Sequence, residues 1–385
     1  MQNFSFYNPT RIEFGAGTIA NIDDLVPAKA KVLILLGGQS AKQNGTLDEV
    51  ITALGQRQTE VFSGIEPNPS YDTLMQAVAM VKQHKIDFLL AVGGGSVIDG
   101  TKFVAAAALY PEDAWQILVT SGNDIKQALP FGTVLTLPAT GSEMNNGAVI
   151  TRKSMQAKLP FFSPLVYPQF SILDPVKTYS LPQKQIANGI VDAFVHVMEQ
   201  YLTYPADAPV QDRFAEGLLQ TLIDVGPKAL AEPENYQARA SLMWTATLAL
   251  NGLIGAGVPQ DWSTHMLGHE LTALHGLDHA QTLAIILPEM LRLRKADKLA
   301  KLVQFAERVW GVDAGSDEQK AEAAIAKMRA FFESVGVATK LGDYQLGAEH
   351  IEPIIDSLIK HNMVALGEHG DITPDLCRGV LQASL

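Results

Sequence analysis

Four of the nine histidines in this chain fall within residues 265–279, and they are the side chains best suited to do chemistry. His265 and His269 are four positions apart, so on a helix they would share one face. His275 and His279 have the same spacing. Imidazole is the commonest metal-binding side chain in proteins. The cluster therefore indicates a metal site if a further ligand lies elsewhere, whereas helix caps and buried core histidines are the alternative.

One familiar zinc motif begins in this segment but is not completed. His269 and Glu270 match the first two residues of HExxH, in which two histidines bind zinc from one helical face and the glutamate acts as the base. The position that requires the second histidine is Ala273. The motif itself therefore excludes a zinc protease of this type.

A carboxylate that could complete the site lies earlier in the chain. Asp192 and His196 are four positions apart within residues 186–199, where the surrounding apolar residues predict a buried helix. A buried carboxylate is costly unless it has a partner. That partner could be a metal ion, or it could be His196 in a local ion pair.

Drawn from both segments, one set of donors comprises one carboxylate oxygen and three imidazole nitrogens. Its members are Asp192, His196, His265 and His279. Such a set suits Zn²⁺ or Fe²⁺ and does not suit Ca²⁺ or Mg²⁺, which prefer oxygen ligands. The affinity order of divalent metals does not separate zinc from iron. His275, beside Gly276, is expected to be a helix-end or supporting residue.

A run of three glycines and a serine, residues 93–96, lies between a predicted strand, Phe88–Val92, and a predicted helix, Val97–Leu109. Glycines at such a turn let the backbone approach a diphosphate, and the amides at the helix start point towards its charge. Ser96 could cap the helix, with Asp99 completing a capping-box-like pattern, or it could donate to a phosphate. A tight turn is the alternative, but three consecutive glycines exceed what a turn needs, which favours phosphate binding.

The loop after the first buried strand, residues 37–42, contains Gly37, Gly38 and Ser40 but no acidic residue. Neither glycine loop matches the usual dinucleotide fingerprint, GxGxxG. NAD-binding folds often hold an acid near the ribose hydroxyls, whereas a 2′-phosphate requires that acid to be absent. If a dinucleotide binds, the loop favours NADP(H); otherwise these are ordinary surface residues.

A third candidate loop lies at the end of the predicted strand Val134–Leu137. Thr136, Thr140 and Ser142 could hydrogen-bond a pyrophosphate or a nicotinamide ribose. They could equally well cap turns, so this loop alone does not indicate a ligand.

The elements that must position these residues divide the chain into two halves. The first half also contains a predicted strand around Val61 and an amphipathic helix over Tyr71–His84. This alternation predicts a mostly parallel, Rossmann-like sheet with helices on both faces. Long helical patterns such as Ile186–Leu202 then dominate. We predict an α/β domain in residues 1–178 and an all-helical domain in residues 179–385.

Composition narrows the class of protein. Of the 385 residues, 47% are apolar and 18% are charged, as in ordinary folded domains. The net charge of −12 and the lack of basic runs argue against a nucleic-acid partner. The single cysteine, Cys377, excludes an internal disulfide, and neither a signal peptide nor a membrane-spanning apolar run is recognisable. We therefore expect a cytoplasmic protein.

These residues resemble those of the iron-containing, or group III, alcohol dehydrogenases, specifically the branch of NADPH-dependent aldehyde reductases and butanol dehydrogenases. The resemblance extends over the full length and rests on three signatures. They are Gly93-Gly94-Gly95-Ser96 with Asp99, Asp192 with His196, and His265 with His269 and His279. The resemblance implies a Rossmann-like dinucleotide-binding domain, an all-α C-terminal domain and a metal in the cleft between them. Dehydroquinate synthase-like enzymes share this architecture.

The resemblance also implies roles for individual residues. The metal ligands would be Asp192, His196, His265 and His279, with His269 near the nicotinamide and substrate. The 2′-phosphate would contact Gly37, Gly38 and Ser40, and the rest of the cofactor Gly94, Gly95, Ser96, Asp99, Thr136, Thr140, Ser142 and Lys158. Zinc members of this branch exist, so the metal is expected to be zinc or iron. A homodimer or a larger assembly is also implied.

The implied activity is the reduction of small aldehydes by NADPH, with the reverse oxidation of alcohols. The metal would polarise the carbonyl and the nicotinamide would deliver hydride, with His269 or a ribose hydroxyl relaying a proton. No arginine clamp for a charged substrate accompanies the motifs, which favours neutral aldehydes. The alternatives are a metal-dependent lyase of the dehydroquinate synthase-like superfamily and a non-catalytic metal- or nucleotide-binding protein.

Overall fold

The computed structural model describes the whole chain, residues 1–385. Its contacts divide the chain into two compact units. The α/β unit comprises Tyr7–Leu181 and Pro233–Thr247, and the helical unit comprises Met1–Phe6, Pro182–Glu232 and Leu248–Leu385. The domain boundary after residue 178 stays a prediction, and this division differs from it by assigning one short segment of each half to the other unit.

The α/β unit contains one six-stranded sheet and one separate hairpin. Its strands are β1 (Arg11–Phe14), β2 (Lys31–Leu36), β3 (Gln58–Ser63), β4 (Phe88–Gly94), β5 (Phe131–Leu137), β6 (Gly147–Arg152), β7 (Ala157–Phe162) and β8 (Phe170–Leu173). The sheet has the order β1-β8-β5-β4-β2-β3, and every neighbouring pair is parallel. β6 and β7 form an antiparallel hairpin. The parallel sheet predicted for this part of the chain is confirmed.

The helices are numbered along the chain. They are α1 (Ile22–Leu25), α2 (Ser40–Gln43), α3 (Thr46–Leu54), α4 (Tyr71–His84), α5 (Gly95–Ala107), α6 (Gln116–Val119), α7 (Gln183–Tyr201), α8 (Pro209–Ala231), α9 (Tyr236–Ala249), α10 (Ser263–His275), α11 (His279–Leu293), α12 (Leu299–Trp310), α13 (Asp317–Ser334), α14 (Ile351–Lys360) and α15 (Pro374–Ala383). α4 has the predicted bounds, whereas α5 begins two residues before its predicted start. No helix combines the length and the apolar composition that crossing a membrane would require.

Strand β2 is buried on both faces because helices cover both sides of the sheet. Leu33 and Leu35 belong to the core formed with α4 and α5. Val32, Ile34 and Leu36 belong to the core formed with α3. Since successive strand residues point to opposite faces, a continuous apolar run needs cover on both sides.

The topology brings two of the candidate loops to one edge of the sheet. β3 pairs with β2 on one side and β4 pairs with it on the other, so the winding direction reverses between β2 and β4. After the carboxyl end of β2 a short loop begins at Gly37, and after the carboxyl end of β4 the helix α5 follows directly at Gly95. In open α/β sheets, ligands bind at such a reversal.

In the helical unit, α7 is buried around most of its circumference. Nearly all of its residues from Ile186 to Tyr201 are buried, and α8 and α11 pack against it. α10 and α11 follow each other in the chain and pack together. These helices, α7, α10 and α11, carry the four candidate metal ligands.

Candidate metal centre and dinucleotide site

Four side chains from three helices converge in the helical unit. Asp192 and His196 come from consecutive turns of α7, His265 from the first turn of α10, and His279 from the first residue of α11. One ligand atom from each side chain lies within 4.8 Å of the other three. Three of the four side chains are buried, and His279 is partly buried.

The distances within this group favour a shared cation over direct pairing. Asp192 Oδ1 is 3.6 Å from His196 Nε2 and also 3.6 Å from His279 Nε2. Both distances are too long for a hydrogen bond. Two donors that each lie about 2.0–2.2 Å from one zinc ion stand at a comparable separation. The residues therefore fit a small divalent cation, while Asp192 and His196 also approach each other as an ion pair whose 3.6 Å separation is too long for a hydrogen bond.

The electrostatic setting keeps one candidate ligand neutral. Burial lowers the pKa of His196 to about 4, although the nearby Asp192 carboxylate acts in the opposite direction. The imidazole of His196 is therefore uncharged at neutral pH. Metal ions bind imidazole in this uncharged form.

His279 is positioned through the residue that precedes it. Asp278 caps α11 and accepts hydrogen bonds from Asn188 Nδ2 at 3.0 Å and from Lys184 Nζ at 2.8 Å. Asn188 lies one turn before Asp192 on α7, so this contact fixes the start of α11 beside the carboxylate. This link could not be predicted from the sequence, because neither residue type is specific for such a role.

His265 is held by Glu199, a residue that no motif in the sequence singles out. Glu199 lies on α7 and is buried. Its carboxylate contacts His265 Nδ1 and accepts a hydrogen bond from the backbone N–H of Thr264 at 2.8 Å. Only its position in α7, one turn beyond His196, could have suggested this role.

The two remaining histidines of the segment have different surroundings. His269 is buried, and its ring centroid lies 5.5 Å from that of His279, but it is not part of the four-donor group. Its role near the substrate stays a prediction. His275 is the last residue of α10 and is followed by Gly276 in the left-handed conformation. The ring centroids of His275 and His350 are 5.1 Å apart.

In the α/β unit, the three glycines that end β4 and begin α5 are all required by packing. A Cβ atom on Gly93 would lie 2.6 Å from Val97 Cγ2, and one on Gly94 would lie 2.9 Å from Leu137 Cβ. At Gly95 a Cβ atom would lie 2.5 Å from Thr140 Cγ2. Packing alone therefore explains why three glycines occur here, so their number is not evidence for a ligand. The support for phosphate binding is their position at the edge of the sheet where the winding direction reverses.

Of the two roles considered for Ser96, capping of α5 is wrong. The residue that caps α5 is Gly94, and Ser96 lies inside the first turn. Ser96 Oγ instead accepts a hydrogen bond from Asn68 N at 3.3 Å. The Asp99 carboxylate does not bond back to the helix start, because it accepts from Ser142 Oγ at 2.6 Å and from Val149 N at 2.9 Å.

Several predicted cofactor residues meet in this region. Asp99 bonds to Ser142, whose backbone N–H in turn donates to Thr140 Oγ1 at 3.2 Å. Lys158 Nζ donates to Asn68 Oδ1 at 2.8 Å, which links it to Ser96. Their roles in cofactor binding stay predictions.

The other predicted cofactor residues lie on β5 and beyond β2. Thr136 is partly buried in β5. After β2, Gly37 lies close to Val97, and a Cβ on Gly38 would meet nothing within 4 Å. Ser40 begins α2 and is exposed. The region beyond β2 therefore leaves open space next to the glycine turn of β4.

Buried charges lie directly behind this region. Lys102 is buried and donates to Asn145 Oδ1 and to Gly147 O, both at 2.8 Å. Burial lowers the pKa of Lys102 to about 8, against the opposing effects of Asp99 and Glu143. Burial also raises the pKa of Asp99 and of Glu143. Neither Lys102 nor Glu143 was selected from the sequence, because charged residues in helices and loops are usually exposed.

Known proteins share both halves of this arrangement. The family described as iron-containing alcohol dehydrogenase matches residues 9–175, and the C-terminal Fe-containing alcohol dehydrogenase family matches residues 186–375. The chain is 59% identical to the NADPH-dependent aldehyde reductase YqhD of Escherichia coli (strain K12), over 100% of both chains. It is 43% identical to the probable NADH-dependent butanol dehydrogenase 1 of Bacillus subtilis (strain 168), also over 100% of both.

Solved structures agree with these matches. The crystal structure of Escherichia coli K-12 YqhD has a TM-score of 0.99 at 58% identity and is matched over 100% of this chain and 99% of that chain. The NADH-dependent butanol dehydrogenase A of Thermotoga maritima has a TM-score of 0.95 at 34% identity, with the same coverage. The resemblance and the fold class predicted from the sequence are confirmed. This chain belongs to the iron-containing alcohol dehydrogenase family.

Proposed function

We propose that this protein reduces small aldehydes to alcohols with NADPH, and catalyses the reverse oxidation, with the help of one divalent metal ion. The observation that carries the proposal is the group of four ligand atoms within 4.8 Å, formed by one carboxylate and three histidines. The 59% identity to a protein named as an NADPH-dependent aldehyde reductase supports the same activity. The relatives that match over the full length are named as reductases or dehydrogenases, which gives the lyase alternative no support.

The metal would be zinc or iron. The ligands that we propose are Asp192, His196, His265 and His279. When bound, the cation would supply Lewis-acid polarisation of a carbonyl oxygen, and NADPH would supply the hydride. Buried His269, close to His279, would hold or relay the proton for the product oxygen.

The preference for NADPH rests on the loop after β2. The two relatives above are named with different cofactors, NADPH and NADH, so identity alone does not decide between them. Residues 37–42 contain no acid, and Gly38 and Ser40 are exposed. Hydroxyl and amide donors without a carboxylate suit a 2′-phosphate.

We propose that other predicted residues contact the remainder of the cofactor. They are Gly37, Gly94, Gly95, Ser96, Asp99, Thr136, Thr140, Ser142 and Lys158. The position of the β2 and β4 loops at the reversal of the sheet supports this assignment.

We further propose a homodimer that acts in the cytoplasm. The support for the dimer is an N-terminal segment with exposed apolar side chains, Phe4, Phe6 and Tyr7, of which Tyr7 is 69% exposed. Exposed apolar patches are typical of contact surfaces. The free, buried thiol of Cys377 is compatible with a reducing compartment. Light scattering of the purified chain measures the oligomeric state.

The test of the activity combines metal analysis with cofactor oxidation. The purified chain is stripped with a chelator and reloaded with Zn²⁺ or Fe²⁺, and NADPH oxidation is followed with a series of aldehydes of increasing chain length. We expect consumption only in the metal-loaded protein. A chain that binds the metal but consumes no NADPH with any aldehyde would contradict the reductase proposal.

A further inference from the structure

Glu199 is a buried acid that lies against the candidate metal centre without being one of the four donors. It is 3% exposed and sits on α7, one turn beyond His196. One carboxylate oxygen, Oε1, accepts from Thr264 N at 2.8 Å, and the other, Oε2, contacts His265 Nδ1. Both oxygens therefore face the first turn of α10, in which His265 lies.

We propose that Glu199 is a positioning residue that fixes both the ring orientation and the tautomer of His265 for cation binding. The inference rests on the proposed ligand set. A neutral imidazole carries one N–H, so a ring that binds a cation through Nε2 must carry its hydrogen on Nδ1. Glu199 stands at Nδ1 and accepts that hydrogen, which leaves Nε2 as the nitrogen offered to the cation.

When His265 binds a cation through Nε2, the contacts of Glu199 suit a carboxylate. Two donors meet Glu199 in the cation-binding form, the backbone N–H of Thr264 and the Nδ1–H of His265. A carboxylate accepts from both, since each oxygen is an acceptor. A glutamine side chain has one acceptor oxygen and one NH₂ group, so one of the two donors would face another donor. The only arrangement that satisfies both groups puts the hydrogen on His265 Nε2, where it blocks the cation.

The backbone around Glu199 is held firmly enough for this role. Glu199 O accepts from Asp261 N at 2.8 Å, and Asp261 Oδ1 accepts from Ser263 N at 2.9 Å. Lys298 Nζ lies 3.0 Å from Asp261 Oδ2 and donates to Leu202 O at 2.7 Å. The turn that begins α10 is therefore fastened to the C-terminal end of α7, and Lys298 offsets the second buried carboxylate.

The test compares Glu199→Gln with a matched control, Glu216→Gln. Glu216 is also a buried glutamate of the helical unit, but it accepts from Tyr201 Oη at 2.9 Å and not from the metal centre. Zinc dissociation constants are measured by competition with a chromophoric chelator, and unfolding midpoints are measured on the metal-free proteins. We expect Glu199→Gln to weaken zinc binding by about 10- to 100-fold, the range found when partners of metal-binding histidines are removed. We expect Glu216→Gln to change it by less than about twofold, and the visible spectrum of the Co²⁺-loaded protein to change only in Glu199→Gln.

The outcomes separate this inference from the proposed function. A wild-type chain that takes up no cation would overturn the ligand set and this inference with it. If the wild type binds zinc and folded Glu199→Gln binds it equally well, the positioning role is wrong and the metal-dependent reductase proposal stands. If Glu199→Gln does not fold, ring ¹⁵N shifts of the zinc-loaded wild type decide, with the His265 signals assigned from their loss in His265→Gln. Zinc on Nε2 with a protonated Nδ1 supports the inference, and zinc on Nδ1 overturns it.

Discussion

The two candidate sites of this chain are built from different kinds of residue. In the helical unit, the donors are side-chain atoms of one carboxylate and three imidazoles that lie within 4.8 Å of one another. In the α/β unit, the corresponding features are glycines, three of which pack too closely against neighbouring side chains to carry a Cβ, and hydroxyl groups that already form hydrogen bonds within the protein. The carboxylate and imidazoles of the first site are costly to bury without a ligand. The glycines and hydroxyl groups of the second site also contribute to the packing and hydrogen bonding of the folded unit.

This difference leads to opposite expectations for substitutions at the two sites. Removing a candidate metal ligand should abolish binding and leave the metal-free fold intact, because a buried charged group without its cation costs free energy in the folded state. Filling a glycine position should weaken the fold itself, because the space is already occupied by neighbouring atoms. If both kinds of substitution reduce stability and metal binding alike, the two sites do not differ in this way.

The largest effect is expected for Asp192→Ala. Metal content should fall to background, and aldehyde reduction should fall by at least about 10³-fold, since a Lewis-acid cation supplies several kcal/mol of transition-state stabilisation and about 4 kcal/mol corresponds to that factor. Elemental analysis and NADPH oxidation measure these changes. The metal-free variant should unfold at no lower denaturant concentration than the metal-free wild type, because a buried carboxylate has been removed. Full metal occupancy in Asp192→Ala would refute the ligand set.

Gly95→Ala should show the reverse pattern. The new methyl group would lie 2.5 Å from Thr140 Cγ2, so the neighbouring loop must shift, at a cost of about 1–3 kcal/mol in the free energy of unfolding. NADPH binding should weaken, while metal occupancy stays at the wild-type level. Gly38→Ala is the matched control, since a Cβ there meets nothing within 4 Å and the free energy of unfolding should change by less than about 0.5 kcal/mol. Equal stability losses in both variants would contradict the packing argument.

A smaller effect, confined to cofactor choice, is expected for Gly38→Asp. A carboxylate at this exposed position should repel a 2′-phosphate and accept from the 2′-hydroxyl of NADH. The ratio of kcat/KM for NADPH to that for NADH should fall by about tenfold, or about 1.4 kcal/mol. Gly38→Asn, of the same shape but uncharged, is the control. If both variants shift the ratio equally, shape and not charge determines the preference.

The candidate metal ligands can be selected from the sequence, whereas the contacts of the candidate cofactor residues cannot. Histidines and a buried aspartate are rare and chemically specific, so His265, His279 and Asp192 could be selected although they come from distant segments. Glycine, serine and threonine serve turns, packing and ligands alike, so the sequence could not show that Gly95 is required by Thr140 or that Ser96 pairs with Asn68. Spacing along the chain does not contain these tertiary contacts.

Secondary structure shows the same limit. The helix over Tyr71–His84 has the bounds that its regular apolar period predicts, and in the structure Ser70 caps it by accepting a hydrogen bond from Thr73 N. The hairpin of β6 and β7 was not predicted, because polar residues such as Arg152 and Lys158 interrupt its apolar pattern. Glu199 and Lys102 could not be recognised as buried, since charged side chains in helices are usually exposed.

The smallest effect tests whether the α/β site also contains a buried charge that is costly in the folded state. Burial lowers the pKa of Lys102 from 10.5 to about 8. Between these pH values the unfolded chain binds more protons at Lys102 than the folded chain does. The contribution of Lys102 to the free energy of unfolding therefore rises with pH. From pH 8 to pH 9 the wild type should gain about 1 kcal/mol relative to Lys102→Met, which has no such group. Denaturant unfolding of both proteins at the two pH values measures the difference.

The control for this pH dependence is Lys82→Met, which removes an exposed lysine of α4 in the same unit. Its stability relative to the wild type should stay constant from pH 8 to pH 9. A constant difference between the wild type and Lys102→Met over the same range would mean that Lys102 is not destabilised by burial. In that case Asp99 and Glu143 would offset its charge fully, and the α/β site would depend on paired buried charges while the metal centre depends on a cation.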